Sequence, residues 1–92
     1  MIVTKKLVLD VLKPLRPNTL EFAQQINAGL PEVEVHVKLM GVDDKTQDVM
    51  VTLTGQLDFA RIETVLESLG ASIHSIDEVL TSHVASASEQ TD

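Results

Sequence analysis

The hydrophobic pattern of this chain occurs twice, and the repeat limits the folds that are open to it. Residues 7–39 and residues 49–79 each contain a strand pattern, a helix pattern and a second strand pattern, in that order. Strand patterns place apolar residues in short runs or at every second position, whereas helix patterns space them three and four residues apart. Two such halves give the order β-α-β-β-α-β, which is typical of the ferredoxin-like fold.

This order predicts an α+β domain in which a four-stranded antiparallel sheet carries two helices on one face. Right-handed connections give the strands the spatial order 4-1-3-2. The first and last strands of the chain are then neighbours, and the second face of the sheet is open. We expect a single domain over residues 1–80. Residues 81–92 are rich in Ser and Ala without periodicity, so we expect a disordered tail there.

Local signals predict where the elements begin and end. Asn18 and Asp58 are good N-cap residues for the two helices, and Gly55 is expected to end the third strand. The last strand is predicted at residues 72–80. The apolar stripes predicted for the two helices are Leu20, Ala23, Ile26 and Leu30 in the first, and Phe59, Ile62, Val65, Leu66 and Leu69 in the second.

The composition excludes several functional classes. There is no cysteine among the 92 residues, so disulfides, thiolate zinc sites and iron–sulfur clusters are excluded. Both aromatic residues, Phe22 and Phe59, lie in predicted helices, which leaves the strands without a surface for stacking bases. The formal net charge of −7 also disfavours nucleic acid and anionic membranes as partners. With no membrane-span pattern, signal peptide or catalytic motif, we expect a cytoplasmic protein that is not an enzyme.

Two predicted strands carry charged side chains within apolar segments, LVLDVLKP at residues 7–14 and IHSIDEVL at residues 73–80. The side chains concerned are Asp10, His74, Asp77 and Glu78. Buried charge is costly unless it is paired, hydrogen-bonded or bound to a metal. Because the two strands are predicted neighbours, these four residues are candidate ligands for a divalent cation, for which carboxylates are suitable ligands.

The same charged residues are compatible with two roles besides metal binding. The acids could form ion pairs with lysines near the same strands, namely Lys5, Lys6 or Lys13. Asp10 and His74 could instead serve as the acid–base pair of a small enzyme, although no substrate-positioning motif accompanies them. The register of the last strand is also open, since Ile73 and Ile76 can both face the helices only if a bulge lies near His74.

The open face of the sheet predicts association between copies of the chain. Val8, Leu12 and Met50, together with Ile76 or Leu80, would be exposed there in a monomer, and contiguous apolar surface usually marks an interface. A small domain also gains stability from association. We therefore expect a homo-oligomer. It is either a module that binds a divalent cation or small ligand on the open face or at subunit interfaces, or a purely structural assembly protein.

The segments LVLDVLKP and GASIHSIDEV, together with a proline-flanked helix start, a Val-rich strand and an acidic hairpin, identify a family resemblance. Over residues 5–80 the chain resembles the mostly archaeal domain-of-unknown-function family 211. The resemblance implies a ferredoxin-like fold that assembles into ring-shaped homo-oligomers. It implies no established activity and no catalytic residues, and it is compatible with binding of divalent cations such as calcium.

Overall fold

The computed structural model describes residues 1–85, which form six elements in the predicted order. They are β1 (Ile2–Pro14), α1 (Thr19–Gly29), β2 (Glu34–Val42), β3 (Thr46–Leu57), α2 (Phe59–Ser68) and β4 (Ser72–His83). Neighbouring strands are antiparallel, and their order across the sheet is β2-β3-β1-β4. From the opposite edge this order is 4-1-3-2, so the prediction of an α+β ferredoxin-like fold is confirmed.

The strands extend beyond their predicted limits. The prediction that Gly55 ends the third strand is wrong, because β3 continues through it to Leu57. Gly55 has a φ of 138°, and the pairing of β1 with β3 shifts between Thr4 and Lys6, beside this glycine. Gly55 therefore accommodates an irregularity inside the strand. At the other end of the chain, β4 continues to His83, and residues 86–92 of the predicted tail lie outside the described residues.

Both helices begin at their predicted N-cap residues. The Asn18 side chain accepts a hydrogen bond from the Glu21 backbone N–H at 2.8 Å. The Asp58 side chain accepts one from the Ala60 backbone N–H at 3.1 Å. Each cap satisfies backbone donors that the first turn of a helix leaves without an intrahelical partner.

The core lies between the helices and one face of the sheet. Leu20, which was predicted to belong to the apolar stripe of α1, is instead 66% exposed, and Phe22 is fully buried in its place. The buried core residues are Leu7, Leu9, Val11, Phe22, Ile26, Leu30, Val33, Val49, Val51, Leu53, Ile62, Leu66 and Ala71. They come from both helices, from the connections that follow them and from the helix-facing sides of β1 and β3. The helix-covered face of the sheet is therefore the one from which water is excluded.

Two bulges interrupt the pairing of β4 with β1. The pairs are Ile73 with Val11, Ser75 with Asp10, Ile76 with Leu9, and Glu78 with Val8. His74 and Asp77 are therefore extra residues in β4, and of the registers that the sequence left open the structure has the one with a bulge near His74. Each extra residue changes the alternation of the strand, so that Ile73 and Ile76 both lie on the helix-facing side with Leu9 and Val11. The bulges thus place these two isoleucines on the helix-facing side and Ser75, Asp77 and Glu78 on the open face.

Candidate functional site

Asp10 lies near the centre of the open face. Its neighbours across the sheet are Met50 in β3 and Ser75 in β4. Leu9 and Val11 are fully buried against the helices, so the alternation of a strand turns the Asp10 side chain to the opposite face. Asp10 is half-buried there. A carboxyl group is therefore held, partly desolvated, on an inner strand of the sheet.

A second carboxyl group lies beside it. Asp48 is paired with Leu12, two residues along β1 from Asp10 and on the same face. The Asp48 carboxyl raises the pKa of Asp10 above its ordinary value, because it favours the protonated form as a hydrogen-bond acceptor, and burial and the Asp48 charge act in the same direction. Two adjacent carboxylates repel each other when both are ionised. The pair is therefore a place where a cation or a shared proton would relieve repulsion.

Asp48 also carries a polar atom without a partner. Its Oδ1 atom is buried and makes no hydrogen bond within residues 1–85. Buried polar atoms are nearly always hydrogen-bonded, so an exception is informative. Asp48 lines a cavity of about 200 Å³. The other residues that line it are Leu12, Gly41, Val42, Asp43 and Thr46.

The other carboxylate in this cavity already has hydrogen-bond partners. Asp43 accepts hydrogen bonds from the backbone N–H groups of Lys45 at 2.9 Å and Thr46 at 2.8 Å. These bonds lower the pKa of the Asp43 carboxyl below its ordinary value. Asp43 therefore stabilises the turn between β2 and β3, and Asp48 is the carboxylate of this cavity that has coordination capacity left.

The bulges of β4 bring two further predicted residues toward Asp10. The charge of His74 lowers the pKa of Asp10, whereas the charge of Asp77 raises it, so both act on the same carboxyl group. Asp77 accepts a hydrogen bond from the Ser75 hydroxyl at 2.6 Å, and Ser75 is the partner of Asp10 across the sheet. His74 and Asp77 thus share the open face with Asp10. In a regular strand they would lie on opposite faces, because they are three residues apart.

Glu78, the fourth predicted residue, is engaged in an ion pair. Its Oε1 atom lies 3.1 Å from the Lys6 ammonium. The side chains of Lys6 and Glu78 are 35% and 58% exposed, and such surface pairs contribute at most about 1 kcal/mol. For Glu78, the structure thus agrees with the ion-pair alternative that the sequence left open.

Lys13 has an environment that sequence reasoning missed. It is 1% exposed on the helix-facing side, and its ammonium donates hydrogen bonds to the Pro14 carbonyl and the Gln47 side chain, each at 2.7 Å. The ammonium also lies 5.5 Å from the centre of the Phe22 ring. Burial lowers the pKa of Lys13. The available signal was its two-residue spacing from Val11, which places it on the helix-facing side, away from the acids.

The four predicted ligands do not form a closed coordination shell. Within residues 1–85, no three or more His, Asp or Glu side chains are grouped closely enough to hold one metal ion. What the open face offers is the Asp10–Asp48 pair, with His74 and Asp77 near it and Glu78 paired with Lys6. This arrangement can supply two protein ligands to a cation, with water molecules completing its shell.

The exposed apolar surface agrees with the sequence prediction only in part. Val8, expected to be exposed on the open face, is only 7% exposed. Leu12 is exposed as expected, and the exposed apolar side chains of β4 are Ile76 (49%), Val79 (53%) and Leu80 (51%). They lie on an edge strand, since β4 ends the sheet. β4 therefore offers exposed apolar surface for association at one edge of the sheet.

Comparison with known proteins identifies the family. A family model, DUF211, described as "Uncharacterized ArCR", matches residues 5–91. The chain belongs to the DUF211 family. A curated relative, "Uncharacterized protein MJ0319" from Methanocaldococcus jannaschii, is 40% identical over 77 residues, which cover 83% of this chain and 79% of the relative. The predicted resemblance is confirmed. In addition, none of the helices described within residues 1–85 is long and apolar enough to cross a membrane.

Proposed function

We propose that this DUF211 protein is a non-enzymatic cytoplasmic module that functions as a homo-oligomer, in the form of a ring. The observation that carries the proposal is the exposed apolar surface of β4. Ile76, Val79 and Leu80 are each about half exposed and lie within five consecutive residues. Exposed apolar patches of this kind usually mark interaction sites, and a chain of 92 residues gains stability by covering them.

Light-scattering mass measurement tests the proposed assembly. We expect a mass that is a multiple of the 10.0 kDa chain. The double variant Ile76→Ser with Val79→Ser should lower that mass, because it removes apolar contacts without disturbing a buried position. The matched control is Leu20→Ser, which changes an exposed apolar residue on α1. A wild-type mass equal to one chain across the micromolar range would refute the assembly.

A second proposal, favoured by a separate observation, is that the open face binds a divalent cation such as Ca²⁺. Asp48 Oδ1 is buried without a partner among residues 1–85, and the adjacent Asp10 carboxyl feels the Asp48 charge. Oxygen ligands of this type suit Ca²⁺ and Mg²⁺. Asp10 and Asp48 would hold the ion, and the ion would neutralise their mutual repulsion.

Calorimetric titration with Ca²⁺ and Mg²⁺ tests the cation site. We expect binding heat for the wild type and at least tenfold weaker binding for Asp10→Asn and Asp48→Asn. The control is Asp44→Asn, which removes an exposed carboxylate from the hairpin loop and should leave binding unchanged. Absence of both heat and a melting-temperature shift with Ca²⁺, Mg²⁺, Mn²⁺ and Zn²⁺ would refute this proposal and favour a purely structural assembly protein.

A small acid–base enzyme is the remaining alternative. It would use Asp10 with His74, whose charge acts on the Asp10 carboxyl. We rank it below the other two because the sequence supplies no motif that would position a substrate beside the pair.

A further inference from the structure

We propose that copies of this chain join by pairing β4 of one copy with β2 of the next, so that the sheet continues across the subunit boundary. This inference rests on the proposed homo-oligomer and specifies its interface. Its basis is a two-sided match between the edges of the sheet: apolar side chains on the helix-facing side and opposite charges on the open side.

The strand directions permit such a continuation. β2 is antiparallel to β3, β3 to β1, and β1 to β4. It follows that β4 runs antiparallel to β2, so a β4 strand placed beside the β2 strand of a second copy would continue the antiparallel alternation. Both strands end the sheet described for residues 1–85. Their outer backbone N–H and C=O groups are therefore available to a partner strand.

Each edge also has a regular segment long enough to pair. The bulges of β4 lie at His74 and Asp77, so residues 78–83 of β4 contain no extra residue. The shift in their pairing with β1 comes from an extra residue in β1, Lys5. In β2 the pairing shifts only between Leu39 and Gly41, which leaves residues 34–39 regular. Bulges and charged residues often protect a sheet edge from indiscriminate pairing. Here they leave two regular segments of about six residues for backbone pairing, which is an ordinary strand length, and Ile76 and Asp77 lie next to the β4 segment.

On the helix-facing side, both edges are apolar. Leu39 of β2 pairs with Val49 and is 44% exposed. On β4, Ile76 and Val79 face the same side, because their partners in β1 belong to the core, and each is about half exposed. Placing the two edges side by side would bring these apolar groups together and remove them from water.

On the open side, the edges carry opposite charges at the same height along the sheet. Lys38 pairs with Met50, Met50 with Asp10, and Asp10 with Ser75, so one transverse row runs from β2 to β4. Asp77 lies at the β4 end of this row, where it accepts the Ser75 hydrogen bond. Within residues 1–85 neither Lys38 nor Asp77 forms an ion pair. Edge-to-edge pairing would give each an oppositely charged partner.

A β4–β2 interface joins two different surfaces and is therefore heterologous. Such an interface generates rings when the rotation between copies closes, and open chains when it does not. An interface between two β4 strands would instead be isologous and would stop at a dimer. The charges disfavour that dimer, because each β4 edge presents the Asp77 carboxylate, which forms no ion pair within residues 1–85, and like charges across an interface are repulsive.

Charge reversal distinguishes these arrangements. We expect Lys38→Glu and Asp77→Lys, each alone, to raise the dissociation constant of the assembly at least tenfold in light-scattering or sedimentation measurements. The double variant, and an equimolar mixture of the two single variants, should both restore association, since interfaces with opposite charges can then form again. The control is Lys45→Glu, an equal charge change in the hairpin loop. Circular dichroism would check that each variant is folded.

The possible failures are distinct. A monomeric wild type would refute the proposed homo-oligomer itself. A wild-type oligomer whose mass is unaffected by Lys38→Glu would leave the assembly standing and overturn the β4–β2 pairing. Loss of assembly in both single variants without recovery in the double variant or the mixture would likewise overturn the proposed charge contact.

Discussion

Gly55 allows a direct test of the irregularity inside β3. Its φ of 138° lies in a region that residues with a Cβ atom rarely adopt, and such strain costs about 1–3 kcal/mol. An added Cβ would lie 3.3 Å from the Glu32 carbonyl oxygen and 3.6 Å from the Val33 Cα atom. Both are backbone atoms of the segment that leads into β2, so they cannot rotate away as a side chain could.

We therefore expect Gly55→Ala to lower the free energy of unfolding by about 2 kcal/mol, the middle of the range for this kind of strain. For a domain of this size, that loss corresponds to a fall in melting temperature of about 8–16 °C. The expected cause is backbone strain with a tight backbone contact, rather than loss of any packing interaction, since glycine has no side chain to lose.

Gly41→Ala is the matched control, because it adds the same methyl group to another strand glycine. A Cβ atom at Gly41 would meet nothing within 4 Å, and Gly41 has no positive φ. We expect this change to be neutral or to stabilise the protein by up to about 1 kcal/mol through the unfolded chain. The melting temperatures should be measured at several protein concentrations, because association also stabilises a folded chain.

A difference of less than about 0.5 kcal/mol between the two variants would refute the reasoning. It would mean that the backbone at position 55 relaxes to an ordinary conformation without cost. The irregular pairing between β1 and β3 would then not depend on a glycine.

Two further predictions concern titratable groups. Because the folded protein raises the pKa of Asp10 above 3.8, it loses stability as the pH rises through the raised value. Asp10→Asn should thus be more stable than wild type at pH 7, by on the order of 1 kcal/mol, in urea unfolding with a chelator present. This difference in stability should vanish below pH 3.8, where Asp10 is protonated in the folded and the unfolded protein. A difference that persists there would show that ionisation of Asp10 is not its cause. For Lys13, burial lowers the pKa below 10.5, so the unfolded chain binds more protons between the two values and stability rises with pH. The free energy of unfolding of the wild type should rise relative to that of Lys13→Met as the pH approaches 10.5. A difference between the two that stays constant with pH would show that the Phe22 ring and the hydrogen bonds cancel the effect of burial on the Lys13 pKa.

The fold was predictable because its signals are local and repeated. Asn18 and Asp58 were identified as caps from their residue type, and both accept the hydrogen bonds expected of caps. Strand alternation and helical spacing each place apolar residues on one side of an element, so the element order followed. The errors, at Leu20 and Gly55, arose where local pattern competed with tertiary packing. Phe22 fills the position against the sheet, and the chain continues through Gly55 with an unusual φ.

The candidate site was predictable only in part. Asp10, His74 and Asp77 were candidates because a charged residue in an apolar strand is conspicuous, but only the bulges of β4 bring His74 and Asp77 to the same face as Asp10. Asp48 was not identified as their neighbour, since in the sequence it belongs to an acidic loop. Its proximity to Asp10 depends on the register of β3 against β1, which involves residues far apart in the chain and leaves no local signal.

The sequence by itself determined the family, the element order and the presence of charge in two neighbouring strands, because periodicity and residue type act over a few residues. The tertiary structure decided which charges meet and which surfaces remain exposed. Two bulges in β4 turn His74 and Asp77 toward Asp10 while they keep Ile73 and Ile76 on the helix-facing side. The physical reason is that strand register and bulges are set by packing across the whole sheet, where one extra residue reverses the face of every residue that follows it.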